Sequence, residues 1–359
     1  ASAIFSPDGK KIVTASGDKT AKIWDATSGK LLADLSGHSD RVESAEFSPD
    51  GKIIVTASRD ETAKIWDVAS GKLLQELAGH TFDVESAEFS PNGKKIITAS
   101  RDGTAKLWDA ASGKLLQELA GHTYDVYSAV FSPDGEKIVT ASADETAKIW
   151  DVASGKLLNT LSGHTEALKS AVFSPDGKKI ATASFENSAK LWDATSGKLL
   201  NTLSGHTEAL KSAMFSPDGK KIATASGDGT AKIWEAARGK LLVDLSGHTR
   251  SIESAVFSPD GEKIVTTAFP DETAKIWDVE SGKLLADLFG HTETVFSATF
   301  SPDGKKIVTA SYDKTAKIWE AASGKLLKDL TGHTEALKSA TFSPDGKKIA
   351  TASGDGTAK

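Results

Sequence analysis

Histidine is the side chain best suited to moving protons near neutral pH. The chain has eight: His38, His80, His122, His164, His206, His248, His291 and His333. Each stands 42 residues from the next, except for one step of 43 between His248 and His291. Threonines and aspartates recur with them, and a His–Asp–Thr set supplies the parts of a nucleophilic triad. The pattern speaks against that chemistry. A triad needs one privileged copy and a nucleophile on an exposed elbow, whereas these sets repeat along the chain with no elbow among them. Nowhere does Gly-Lys precede Ser or Thr as in a phosphate loop. No His/Asp/Glu cluster has metal-ligand spacing, and cysteine is absent. The expectation is no catalytic residue, no metal and no cofactor.

What must position these side chains is a repeat. Trp24, Trp66, Trp108, Trp150, Trp192, Trp234, Trp277 and Trp319 are the only tryptophans, and they keep the same rhythm. Self-similarity at this period sets the architecture. Within one unit, Val42 to Phe47 has strand-like spacing, and Ser48-Pro49-Asp50-Gly51 suits a type I turn. Ile53 to Ser58 is apolar on both faces, as an inner strand should be. Arg59-Asp60-Glu61 breaks the pattern, Thr62 to Trp66 alternates again, and Ala69-Ser70-Gly71 turns the chain into Lys72 to Leu77. Four short strands with tight turns describe one antiparallel sheet. Such a sheet cannot bury both faces alone, and radial stacking solves that with few exposed edges. One domain over residues 1–359 is expected, because each unit contacts mainly its neighbours.

Composition narrows the partners. Hydrophobic residues make up 39%, enough for a core, and the net charge is −6, so no basic field points to nucleic acid. No apolar run approaches the roughly 18 residues of a membrane span, and no signal peptide is visible. The chain opens at Ala1 in mid-repeat, which reads as a fragment or a processed product.

The recurring GH, SPDG and TAKIWD segments resemble the WD40 repeat, with Trp-Asp closing the third strand. The resemblance covers essentially the whole chain and implies an all-β propeller of four-stranded blades. It also implies a buried network joining the GH histidine, a second-strand threonine, an aspartate in the following turn and the tryptophan. Carried onto this chain, the sets are His38, Thr56, Asp60, Trp66; His80, Thr98, Asp102, Trp108; His122, Thr140, Asp144, Trp150; His206, Thr224, Asp228, Trp234; and His291, Thr309, Asp313, Trp319. Two units depart. Glu186 takes the aspartate position beside His164, Thr182 and Trp192, where one extra methylene should loosen the network. In the unit of His248, Thr266, Asp271 and Trp277, a residue inserted around Phe269-Pro270 should make the turn bulge.

Eight periods leave a remainder. Ser339 to Lys359 restates Ser2 to Lys22, so the first unit lacks a histidine and the last lacks a tryptophan and a fourth strand. The expected outcome is eight full blades plus a partial ninth in a distorted ring, with a closed eight-bladed ring as the alternative. Expelling strands with Phe342 and Ile349 would expose apolar surface and an open edge.

Units compared with one another vary most at three positions: three and five past the histidine, and one before the aspartate. In the resembling family these line the face where partners bind. Arg41, Arg59, Arg101, Tyr127, Phe185, Phe269, Phe296 and Tyr312 are the residues expected there, since aromatics and arginines favour interface hot spots. The resemblance implies a non-catalytic scaffold that binds a protein or peptide, within a larger bacterial signalling-type protein. It would be cytoplasmic and monomeric, with end-to-end assembly as an alternative, and would bind neither nucleic acid nor membrane. Two other readings stand beside it: a recently amplified or designed repeat protein with no evolved partner, and a small-ligand binder in a central channel.

Overall fold

The computed structural model describes residues 2–359, and every regular element among them is a strand. Eight sheets have four strands each in chain order, and a ninth has two. Blade two shows the plan: Val42–Phe47, Ile53–Ser58, Thr62–Asp67 and Leu73–Ala78. Its second strand is buried from Ile54 through Ser58, as its run of apolar and small residues requires. Its last strand exposes Leu73 and Leu74 and buries only Leu77. That strand pairs on one side alone and forms the sheet's edge.

The turns follow their residues. Gly51 N–H donates to Ser48 C=O at 2.8 Å, closing the turn that Pro49 pre-sets. Ser48 Oγ donates to Asp50 Oδ1 at 2.7 Å and braces it. Gly71 is required twice over. Its φ is +67°, and a Cβ there would meet the Cβ of Ala33, in the preceding blade, at 2.4 Å.

The chain divides into two compact units, Ala1–Thr182 with Trp192–Leu199, and Ala183–Leu191 with Leu200–Lys359. In the first, Ile23 and Leu35 of blade one pack against Phe47, Ile54 and Trp66 of blade two. Burying a side chain such as Ile54 or Leu35 stabilises by about 2 kcal/mol. The same mixed core recurs between blades two and three, where Ile65 and Leu77 meet Phe89 and Trp108. In the second unit, Ile276 and Leu288 meet Phe300 and Trp319.

The partial ninth sheet, Leu337–Phe342 with Ile349–Ser353, belongs to this second unit. Leu337, Ala340 and Phe342 pack on Val308, Ala310 and Ala316 of blade eight. Its strands are therefore placed as those of a further blade and not expelled.

Blade seven carries its extra residue in the expected turn: its second and third strands pair last at Thr267–Ala274, which leaves one more residue between them than the Ala57–Ala63 rung of blade two. The first two strands lengthen to Ser251–Phe257 and Lys263–Phe269, and Ser251 pairs with Phe269 beyond the Ile252–Ala268 rung. In blade two the ladder ends at the equivalent Val42–Ser58 rung. This further rung pairs backbone groups at the start of the longer turn. Pro270 follows at the end of the ladder, where no donor is needed.

Candidate functional site

The most regular polar arrangement is the one around each histidine. In blade two, Trp66 Nε1–H donates to Thr56 Oγ1 at 2.9 Å. Thr56 Oγ1 lies 2.7 Å from His38 Nε2, and His38 Nδ1 lies 2.8 Å from Asp60 Oδ2. The donor inventory fixes the roles. The carboxylate accepts from Nδ1–H, so neutral His38 accepts at Nε2 from the threonine hydroxyl, whose oxygen accepts from the indole. Asp60 also accepts from Ser39 N–H at 2.9 Å and from Thr62 Oγ1–H at 2.6 Å. Every buried polar atom of the set has a partner, as burial demands.

The sets of His80, His122, His206, His248 and His291 repeat this with all three bonds at 2.7–2.9 Å. They join Thr98, Asp102 and Trp108; Thr140, Asp144 and Trp150; Thr224, Asp228 and Trp234; Thr266, Asp271 and Trp277; and Thr309, Asp313 and Trp319. In blade five, His164 Nε2 lies 2.7 Å from Thr182 Oγ1, which accepts from Trp192 Nε1–H at 2.9 Å. Glu186 takes bonds from Ser188 Oγ–H and Lys190 Nζ, both at 2.6 Å. At the ends, Trp24 donates to Thr14 at 3.0 Å, and His333 meets Asp355 at 2.9 Å and Thr351 at 2.8 Å.

Burial lowers the pKa of His38, and the facing Asp60 only partly offsets it. For Asp60 burial alone raises the pKa, but the bonds from Thr62, Ser39 and His38 outweigh it and the net shift is downward. Asp228 reaches about 2 by the same balance. As a nucleophile, Thr56 Oγ1 would have to shed the indole and gain a path to solvent, and Thr56 is fully buried. The geometry suits joining strands rather than attacking a substrate.

The variable positions lie at the loop ends of the blades. Arg59 is ion-paired to Glu43 and lies 3.9 Å from Asp83, and Arg101 is paired to Glu85. Arg41 is exposed and covers the backbone of Gly17. These arginines are thus engaged within the chain. Tyr127 is half-buried in blade four, and Phe185 is exposed in blade five.

Phe269, Phe296 and Tyr312 are brought together between blades seven and eight. Phe296 and Tyr312 stack with centroids 5.8 Å apart and planes 16° apart. Phe269 meets Tyr312 at 6.3 Å and 75°. With Glu253, Ser254 and Val295 they line a cavity of about 490 Å³. Phe269 and Phe296 remain 44% and 42% exposed.

Other residues were not singled out by their spacing. Phe82, two past His80, and Phe289, two before His291, are exposed aromatics. Phe289 replaces small or polar residues of other units, and Phe82 shares its position with the exposed Tyr124 while the remaining units carry charged residues there, so both contrasts were usable signals. Glu46 and Glu88 precede the phenylalanine of their first strands, where Val130 and Val256 stand in other blades. Burial, then the charge of Glu88, pushes Glu46 up to about 8. Burial pushes Glu88 to about 7 although Phe131 N–H donates to it at 3.5 Å. Among the described residues, no group of three His, Cys, Asp or Glu is placed to hold a metal ion. No helix among them is long and apolar enough to cross a membrane.

Repeated four-stranded blades with a histidine–threonine–tryptophan bridge define a β-propeller of the kind that serves as an interaction scaffold. The family model described as "WD domain, G-beta repeat" matches residues 1–25, 29–67, 71–109, 113–151, 155–193, 197–235, 239–278, 282–320 and 324–359. The chain belongs to the WD40-repeat family. Each internal match begins before the last strand of one blade and ends on the third strand of the next, so the sequence unit stitches neighbouring blades. Among solved structures, the chain is similar to the crystal structure of the computationally designed Ika8 protein. The identity is 31% and the TM-score 0.74, over 89% of this chain and 95% of that one. No curated protein matches the chain.

Proposed function

We propose that residues 1–359 form one non-catalytic propeller domain that binds a protein or peptide at the loop ends of blades seven and eight. The observation that carries this reading is the Phe269–Phe296–Tyr312 cluster. Three aromatic rings gathered around an open, mostly apolar cavity are costly to leave in water and are favoured as binding anchors. The bridged networks supply rigidity, so little ordering entropy is lost on binding. Such a domain would serve as the recognition part of a larger, cytoplasmic signalling protein of bacterial type.

The test is selection of a displayed peptide library on the intact protein, with counter-selection on a Phe296→Ala/Tyr312→Ala double variant. Enrichment of sequences that bind only the intact protein, with the melting temperature of the variant unchanged, is expected. Equal recovery on both would contradict the reading.

A second reading has its own support. The third strand is TAKIWD in both blade one and blade two, and the second strand KIVTA recurs in blades one, four and eight. Units so alike fit recent amplification or design with no dedicated partner. Under that reading the library yields no sequence dependent on the cluster.

A further inference from the structure

The partial ninth sheet has the residues of a tryptophan seat. In blade two the Trp66 ring packs on Ile23 and Leu35 of blade one and on Ile54 of its own second strand. Its indole donates to Thr56, whose hydroxyl bridges to His38. The counterparts at the ninth sheet are Ile318, Leu330, Ile349, Thr351 and His333, and they line a cavity of about 500 Å³. Ile23, Leu35 and Ile54 are fully buried, whereas Ile318, Leu330 and Ile349 are only half-buried. Thr351 is 4% exposed, and its Oγ1 lies 2.8 Å from His333 Nε2 and 3.2 Å from Lys359 C=O. Both of those groups accept, so they engage the hydroxyl hydrogen while the oxygen can still take a donor. All eight tryptophans of the chain give their indole N–H to another threonine.

We propose that this cavity takes the tryptophan of a β-hairpin supplied by another polypeptide, in which an aliphatic residue precedes the tryptophan and an acidic one follows it. The backbone is laid out for such a strand. Thr351 and Lys359 exchange N–H···O bonds at 2.9 and 3.2 Å, and Ala352 pairs with Ala358. In blade two the same register runs on to set Trp66 opposite Ile54, the counterpart of Ile349. A strand added beside Ile349 would continue that ladder and place its tryptophan over Leu330 and Ile318. The Lys359 ammonium now bonds Gly332 C=O, at the glycine whose equivalent, Gly37, lies under the Trp66 ring. A flexible side chain there can swing aside. Lys328, Lys347 and Lys359 are exposed around the cavity and complement the acidic residue. A second copy of this chain is a poor donor, because its hairpins already serve their own blades. Lending Thr20–Ser36, for example, would strip Ile23 and Leu35 from Trp66.

The probe is a synthetic peptide with the sequence of Ile23–Ser36, titrated calorimetrically into the 359-residue protein. Two altered peptides carry naphthylalanine or serine in place of the tryptophan. Naphthylalanine keeps the ring area and lacks the N–H. The tryptophan peptide is expected to bind about tenfold tighter than the naphthylalanine one, as one buried hydrogen bond requires. The serine peptide should not bind measurably. Thr351→Val should level the first two peptides, and Leu330→Lys should abolish binding. In the unaltered protein the tryptophan peptide should slow hydrogen exchange at residues 349–351, a readout independent of either variant. Failure of the tryptophan peptide to bind, a serine peptide equally tight, or binding without protection at 349–351 overturns the proposal. So do concentration-dependent dimers in which 349–351 are protected before any peptide is added, since a second copy would then be the occupant.

Discussion

Thr98 and Trp108 are joined by a 2.9 Å hydrogen bond in which the indole donates to a hydroxyl that also lies 2.7 Å from His80. One oxygen atom thereby ties the second strand to the third and to the loop that enters the blade. Thr98→Val keeps the shape and removes the bridge. It strands an indole N–H and an imidazole nitrogen in the core, so a loss of about 2–4 kcal/mol is expected. Thr98→Ser, which keeps the hydroxyl, should lose less than half of that. Denaturant midpoints of the two variants decide the matter.

Acid should loosen the blades through the same networks. The pKa values of His38, His122, His206, His248 and His291 are all lowered by burial from 6.5. A depressed histidine contributes stability above its unfolded pKa and loses it as the pH falls, because the unfolded chain takes up the proton first. The lowered aspartates, such as Asp60 and Asp313, act in the same direction below their usual 3.8. The melting temperature should therefore fall as the pH is lowered from 7 to 5, and fall again below 4. A flat profile across both ranges would count against buried neutral imidazoles.

Glu46 should act with the opposite sign. Its folded pKa of about 8 lies above the ordinary 4.5. Its favourable contribution is complete below pH 4.5 and is lost as the pH rises toward 8. Glu46→Gln removes that loss. The variant should be more stable than the parent by about 1–3 kcal/mol at pH 8 and equal to it at pH 4. A variant equally or less stable at pH 8 would contradict the burial of that carboxylate.

The strand plan was legible in the sequence because apolar spacing and turn residues agree. Ile53–Ser58 and Val42–Phe47 are strands with the bounds their spacing gives. The partial ninth sheet was legible too, since Phe342 and Ile349 have nowhere else to be buried. The extra rung of blade seven was not. The insertion announces a longer turn, but that Ser251 pairs with Phe269 within it depends on how the first strand lies against the second. Glu46 was hidden for a related reason. Strand alternation says which residues share a face, while the neighbouring blade decides whether that face is dry. The aromatics at variable positions were visible one by one, but that Phe269, Phe296 and Tyr312 meet depends on the packing of blade seven on blade eight.

Hydrogen–deuterium exchange with and without a selected peptide tests the central claim most directly. Protection is expected at residues 251–254, 268–273, 294–297 and 311–314, which carry the aromatic cavity and its rim. The Ser-Pro-Asp-Gly turns at the other end of the same blades should exchange unchanged. Protection confined to those turns, with none around Phe296 and Tyr312, would contradict the account.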